Sequence, residues 1–329
     1  MVSTLLLWYL LLSILGVTQV STRDVPVNIQ NFYNTVKNSG TCSNKLATGF
    51  WSKDSGTSTF SYCGDYLAKY GVVYIKGTST AMANMDVDCD GAQGGPADDG
   101  RCGSSSDTQS ITAFQYIVEG YAKGIHDLNA NVHPYVVFGN TGAKPGWKTF
   151  NPQEYGIQPL SLMAVVCGGQ LIYGVWGDIN GDDGAHPVVG EASISLATAC
   201  YGRNVNGNSG HDNDDVLYLA FPGGAAVPGA NGADWAAKSY AQFEQSIQGL
   251  GDTLISKIGA DQPGPGSGGS PGGGSGGGTG GGSGGGGGTG PGAGAGSCEW
   301  PGHCAGAVCS TYDDCSDILA CINRVCSRP

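Results

Sequence analysis

Residues 171–200 read LIYGVWGDINGDDGAHPVVGEASISLATAC, and this stretch decides the fold class. Leu171–Trp176 is an apolar run of strand length that ends at Asp178. An acidic, glycine-rich turn follows, then Val188, Val189 and Glu191. Ile194, Leu196 and Thr198 alternate with Ser193, Ser195 and Ala197, which is the period of a strand. Asp178 and Glu191 therefore stand at the edges of two expected strands, flanked by apolar residues. Acid–base bond cleavage needs such raw material: one carboxyl kept protonated by apolar surroundings and one kept ionised by polar ones. Two solvated loop acids would give the same pattern.

The surrounding chain repeats the theme. Leu162–Val166 precedes Leu171–Trp176 across Cys167–Gln170, a spacing that suits a tight hairpin. Val72–Ile75, Tyr135–Phe138 and Val216–Phe221 are further expected strands, so the domain reads as mainly β, a barrel or a sandwich. Helices flank it. Ile29, Phe32 and Val36 recur at helical spacing within residues 24–40, after Pro26 and before Gly40. Phe243, Ile247, Leu250, Leu254 and Ile258 do the same within 234–258. Residues 108–124 fit either period.

Leu5–Val17 is continuously apolar yet too short to span a bilayer comfortably, so residues 1–22 are expected to be a secretory signal peptide and the protein to be extracellular. Twelve cysteines suit an oxidising compartment. Cys42, Cys63, Cys89, Cys102, Cys167 and Cys200 form one candidate disulfide set, and Cys298, Cys304, Cys309, Cys315, Cys321 and Cys326 a second; spacing leaves the pairing open. Residues 261–297 are almost all Gly with Ser, Thr, Pro and Ala, a flexible tether between a large domain at 24–260 and a small six-cysteine module at 298–329. Trp300 in that module is a candidate for stacking on a sugar ring. The formal charge of -12, with Lys and Arg dispersed, argues against nucleic acid and favours a cationic or neutral partner. No later stretch is apolar enough to cross a membrane, and the protein is expected to work as a monomer.

Asp86-x-Asp88-x-Asp90-Gly91 matches the first half of a calcium loop, but the twelfth position, where a bidentate Glu belongs, is Ala97. Calcium on Asp86, Asp88 and Asp90 is thus a weak candidate, and no metal is expected. Asp178-x-Asn180-x-Asp182 departs further, with Val189 at position twelve. The competing reading makes Asp86, Asp88, Asp90, Asn180 and Asp182 substrate-binding groups of a groove for a cationic ligand. No phosphate-cradling loop or metal-spaced histidine pair occurs, so no cofactor is expected. Ser209-Gly210-His211 lacks the second Gly of a nucleophile elbow.

Several stretches carry a family resemblance: Met85-Asp86-Val87-Asp88-Cys89-Asp90-Gly91, Gly100-Arg101-Cys102, Asp107-Thr108-Gln109, Tyr173 to Asp182, Gly190-Glu191-Ala192-Ser193, and Gly210-His211-Asp212-Asn213-Asp214-Asp215-Val216-Leu217-Tyr218. In this order, across roughly residues 30 to 225, they resemble the fungal chitosanases of glycoside hydrolase family 75. The resemblance implies a secreted endo-hydrolase cleaving β-1,4-linked glucosamine in chitosan with inversion. It further implies a six-stranded double-psi β-barrel and a catalytic pair made of the Asp in the Trp-Gly-Asp turn and a Glu 13 positions on, here Asp178 and Glu191. The rival expectation is a non-hydrolytic, expansin-like wall-binding protein that holds polymer without cutting it.

Overall fold

The structure is a computed structural model that describes residues 23–53 and 55–259 and, by backbone alone, residues 320–322 and 325–327. In chain order the elements are α1 (Val27–Asn38), β1 (Lys45–Phe50), β2 (Phe60–Cys63), α2 (Leu67–Tyr70), β3 (Val73–Lys76), β4 (Ala83–Asp88), α3 (Gln115–Gly120), β5 (Tyr135–Asn140), β6 (Leu162–Cys167), β7 (Gln170–Asn180), β8 (Glu191–Ser193), α4 (Ile194–Tyr201), β9 (His211–Ala220) and α5 (Tyr240–Ile255). The expected signal peptide and tether lie outside the described residues. So does most of the cysteine-rich module, in which Ala320–Ile322 (β10) and Val325–Ser327 (β11) pair antiparallel with Cys321 opposite Cys326.

Nine strands form one sheet in the order β1-β2-β3-β9-β4-β8-β5-β7-β6, and β9 also pairs with β6. The six strands β9, β4, β8, β5, β7 and β6 therefore make a closed circuit of hydrogen-bonded ladders, with β1–β3 continuing from β9 as an antiparallel extension. Two of the pairings are parallel, β4 with β8 and β5 with β7. These two parallel pairs and the antiparallel β8–β5 ladder between them carry the site.

The β6–β7 hairpin is the expected one, closed by two residues in the left-handed region, Gly168 and Gly169 at φ +55 and +76. α5 buries Phe243, Ile247, Leu254 and Ile255, each worth about 1.5–3 kcal/mol of transfer free energy. Ser239 caps its start by accepting the Gln242 N–H. α1 buries the three residues its period singles out, Ile29, Phe32 and Val36. The ambiguous 108–124 stretch supplies only the short helix α3. The six cysteines of the large domain pair as Cys42–Cys63, Cys89–Cys102 and Cys167–Cys200.

Three expectations need correcting. Ile194–Thr198 is not a strand but the first part of α4. The Ser193 hydroxyl accepts the Leu196 N–H and starts the helix, and a helix buried at Ile194, Ser195, Leu196, Ala197, Ala199 and Cys200 shows no amphipathic period to read. β7 runs on to Asn180, so Asp178 lies within a strand and not at its edge. The sheet has nine strands where six were expected, because β1–β3 extend the circuit.

Candidate active site

Strand register puts the acids in a row. Asp86 on β4 is opposite Glu191 on β8, Glu191 is opposite Val137 on β5, and Val137 is opposite Asp178 on β7. Residues directly opposite one another share a face, so Asp86, Glu191, Val137 and Asp178 project together from four neighbouring strands. All four line a groove of about 530 Å³. In the adjacent row, Ala192, Val136 and Trp176 alternate to the packed side, where they are fully buried.

The alternation holds on β7 only because of a bulge. Val136 faces Trp176 while Val137 faces Asp178, so Gly177 is an extra residue. Trp176 and Asp178, two apart, would share a face in a regular strand; the bulge sends Trp176 inward and Asp178 into the groove. A Cβ at position 177 would lie 2.5 Å from Tyr135 Cβ, so glycine is the residue that fits there. The Trp176 indole N–H donates to the Asp178 carbonyl at 2.9 Å and fixes the turn of chain between them. Gly190, at φ +96, lets β8 begin directly with Glu191.

Asp178 is 7% exposed. Its Oδ1 accepts the backbone N–H groups of Ile179 at 2.8 Å and Ala113 at 3.0 Å. Burial is the main cause that pushes its carboxyl up, to about 7; the two N–H donors pull against this, and the charges of Asp90 and Asp127 add to the rise. Glu191 is driven well above the usual carboxylate range, first by burial and then by the charges of Asp88, Asp86, Asp178 and Asp90. No donor opposes the shift on Glu191 among these causes, whereas two oppose it on Asp178.

The other predicted groups divide. Asp88 and Asp90 come within 4.8 Å of Asp178, and their carboxyls are raised to about 7, by burial before the charge of a neighbouring aspartate. Asp86 is not in that cluster: it lies in β4 beside Glu191, so the three acids of the Asp86–Asp90 motif do not converge as a calcium loop would require. Two of their carboxylates serve backbone amides as well, Asp88 that of Asp90 and Asp90 that of Gln109, both at 2.6 Å. Asn180 lines the groove and donates to the Val188 carbonyl at 3.3 Å. Asp182 sits farther out, with Oδ2 accepting the amides of Ala143 and Lys144 at 2.6 and 3.0 Å, which pin the neighbouring loop.

Asp183, in the acidic turn after Asp178, also lines the groove, and sequence reasoning passed over Asp107, Asp212, Lys53 and His186, which do so too. Asp107 and Asp212 stand in stretches quoted above for the family resemblance, which is the signal that could have found them. His186 stacks on Trp51 with ring centroids 3.9 Å apart, a contact no local pattern announces.

Comparison with known proteins agrees with this geometry. A family described as fungal chitosanase of glycosyl hydrolase group 75 matches residues 85–257. An endo-chitosanase of Aspergillus fumigatus is 44% identical over 252 residues, 76% of this chain and 98% of the relative. Endo-chitosanase B of Aspergillus oryzae is 41% identical over 254 residues, 76% of this chain and 98% of its own length. Endo-chitosanase C of the same species is 35% identical over 253 residues, which is 55% of that protein. The matched region contains the whole row of acids.

Proposed function

The chain belongs to the fungal chitosanases of glycosyl hydrolase group 75, and from that premise we propose that it is a secreted endo-hydrolase cleaving β-1,4-glucosamine linkages in chitosan by an inverting acid–base mechanism. The observation that carries the reading is the row Asp86–Glu191–Val137–Asp178, in which two carboxyls flank one valine on the groove face. Two strand spacings set the Cα atoms of Asp178 and Glu191 about 10 Å apart. The inverting mechanism calls for the two carboxyl groups, at the ends of these side chains, to stand about 6.5 to 9.5 Å apart with a water between them.

Glu191 is the acid. Burial and four neighbouring acids favour its protonated form, and it delivers its proton to the glycosidic oxygen as the bond to C1 breaks. Asp178 is the base. Two backbone N–H groups favour its ionised form, and it takes a proton from the water that attacks C1 on the opposite face. Asp86, Asp88 and Asp90, with Asp107, Asp183 and Asp212, give the ammonium groups of the polymer counter-charge along the groove. The circuit β9-β4-β8-β5-β7-β6 supports a double-psi barrel as the scaffold. All of these groups come from one chain, which suits a monomer. No helix among the described residues is long and apolar enough to cross a membrane.

The test is release of reducing ends by the purified protein on chitosan, with chitin and carboxymethyl-cellulose alongside. Release from chitosan alone, lost in Asp178→Asn and in Glu191→Gln, is the expected outcome. Binding without release from any of the three would favour the wall-holding alternative.

A further inference from the structure

Ala113 owes its place beside Asp178 to residues outside the groove. The residue before it, Thr112, is buried, and so is Asp127, at 3% exposure. Asp127 grips Thr112 twice: Oδ2 accepts the Thr112 N–H at 2.7 Å and Oδ1 accepts the Thr112 hydroxyl at 2.6 Å. Oδ1 also accepts the Leu128 N–H at 2.7 Å, so the carboxylate orientation is fixed from its own side of the chain. The two gripped segments are tied to the turn after β4 as well. Gly91 N–H donates to the Gln109 carbonyl at 3.1 Å and Ala92 N–H to the Leu128 carbonyl at 2.7 Å. Phe114, next along, meets the Trp176 ring edge-on at 4.8 Å. The Ala113 N–H is thus bracketed on both sides before it reaches Asp178 Oδ1 at 3.0 Å.

We propose that Asp127 and Thr112 form a positioning clamp for the reaction: by fixing the segment that carries Ala113 they hold its N–H on the Asp178 carboxylate and keep that group aimed at the attacking water. The inference rests on the reading of Asp178 as the base. A buried carboxylate with three donors of its own chain and no place in the groove lining is otherwise an expensive way to close a loop. Without the Ala113 donor, Asp178 keeps the Ile179 N–H alone and faces the acids around it: Asp88 and Asp90 from the end of β4, Glu191 from β8, Asp127 behind it, and Asp107 and Asp183 along the groove. The Lys53 ammonium and the His186 ring line the same groove.

Thr112 carries the test, because changing Asp127 also takes a negative charge away from Asp178 and so acts in two opposite senses. Thr112→Val keeps the volume and drops the hydroxyl; Thr112→Ser keeps the hydroxyl. The readouts are kcat, KM and the pH profile of kcat on chitosan, with Tm as a folding control and Asp178→Asn in the same assay. In Thr112→Val, kcat is expected to fall about fivefold with KM changed less than about twofold, and the acid limb to move to higher pH, since the base has lost hold of a donor to its charged form. Thr112→Ser is expected to restore both. A purely structural role would lower Tm and leave the limb where it is. Wild-type kcat and an unmoved limb in Thr112→Val, or a Thr112→Ser as impaired as the valine variant, would overturn the clamp. Normal turnover by Asp178→Asn would overturn the assignment of Asp178 and the clamp with it. Its loss there, beside wild-type behaviour of Thr112→Val, overturns the clamp alone.

Discussion

Carboxyls are buried in two different ways in this molecule. On α5, Glu244 is 7% exposed and meets the Arg23 guanidinium at 2.9 Å, while Arg23 also lies over the Tyr173 ring, 4.4 Å from its centroid. Burial raises the Glu244 carboxyl and Arg23 pulls it back. In the groove, Glu191 feels four further carboxylates after burial itself. The first arrangement uses a part-buried ion pair to tie two segments of the large domain that lie 221 residues apart. The second concentrates like charge where it strains the fold, and such an arrangement persists where chemistry needs it.

The largest effect should come from breaking the second arrangement. Asp178→Asn and Glu191→Gln are each expected to lower chitosan turnover by about a thousandfold, measured as reducing-end release. The same Asp178→Asn should gain about 1 kcal/mol in urea unfolding, because it removes a buried like charge while an amide oxygen can still accept from Ala113 and Ile179. A more active or a less stable variant would contradict the contrast. Arg23→Ala should do the opposite, costing about 2 kcal/mol of stability with turnover retained well below the Tm, since it leaves Glu244 buried without its partner.

A third difference concerns pH. Asp88, Asp90 and Asp178 each have carboxyls raised to about 7 in the folded chain, above the unfolded value near 4. Across that window the folded state holds more protons than the unfolded one, so their contribution to stability is complete below about pH 4 and is lost as the pH rises to about 7. The Tm is expected to fall from pH 5 to pH 7, and less steeply in Asp178→Asn. The smallest effect belongs to a pair on the surface. His126 and Glu119 are 2.9 Å apart but their side chains are 85% and 59% exposed, and His126→Ala should change stability by less than about 0.5 kcal/mol.

The strand positions of Asp178 and Glu191 were legible in the sequence because each stands beside strand-forming residues, and strands turn sequence neighbours into geometry by a simple alternation. The helix α4 was not legible: its alternating residues are buried on every side, so period carries no information there, and the decisive group is one hydroxyl, that of Ser193. The bulge at Gly177 is invisible for a related reason, since a glycine in a strand marks many things besides an extra residue. The clamp lay out of reach altogether. Its bonds run from Asp127 to Thr112 and from Ala113 to Asp178, spans of 15 and 65 residues, and all of its donors but the Thr112 hydroxyl are backbone N–H groups that every residue type but proline supplies.

The row of groove carboxylates has a consequence at the scale of the polymer. An acidic trough and a polyamine each gather small counterions, and docking one on the other sets those ions free. That release is entropic, and added salt opposes it. The strength with which the enzyme holds chitosan should therefore decline along a straight line in the logarithm of salt concentration, and the slope of that line counts the sugar ammoniums that the trough engages at once.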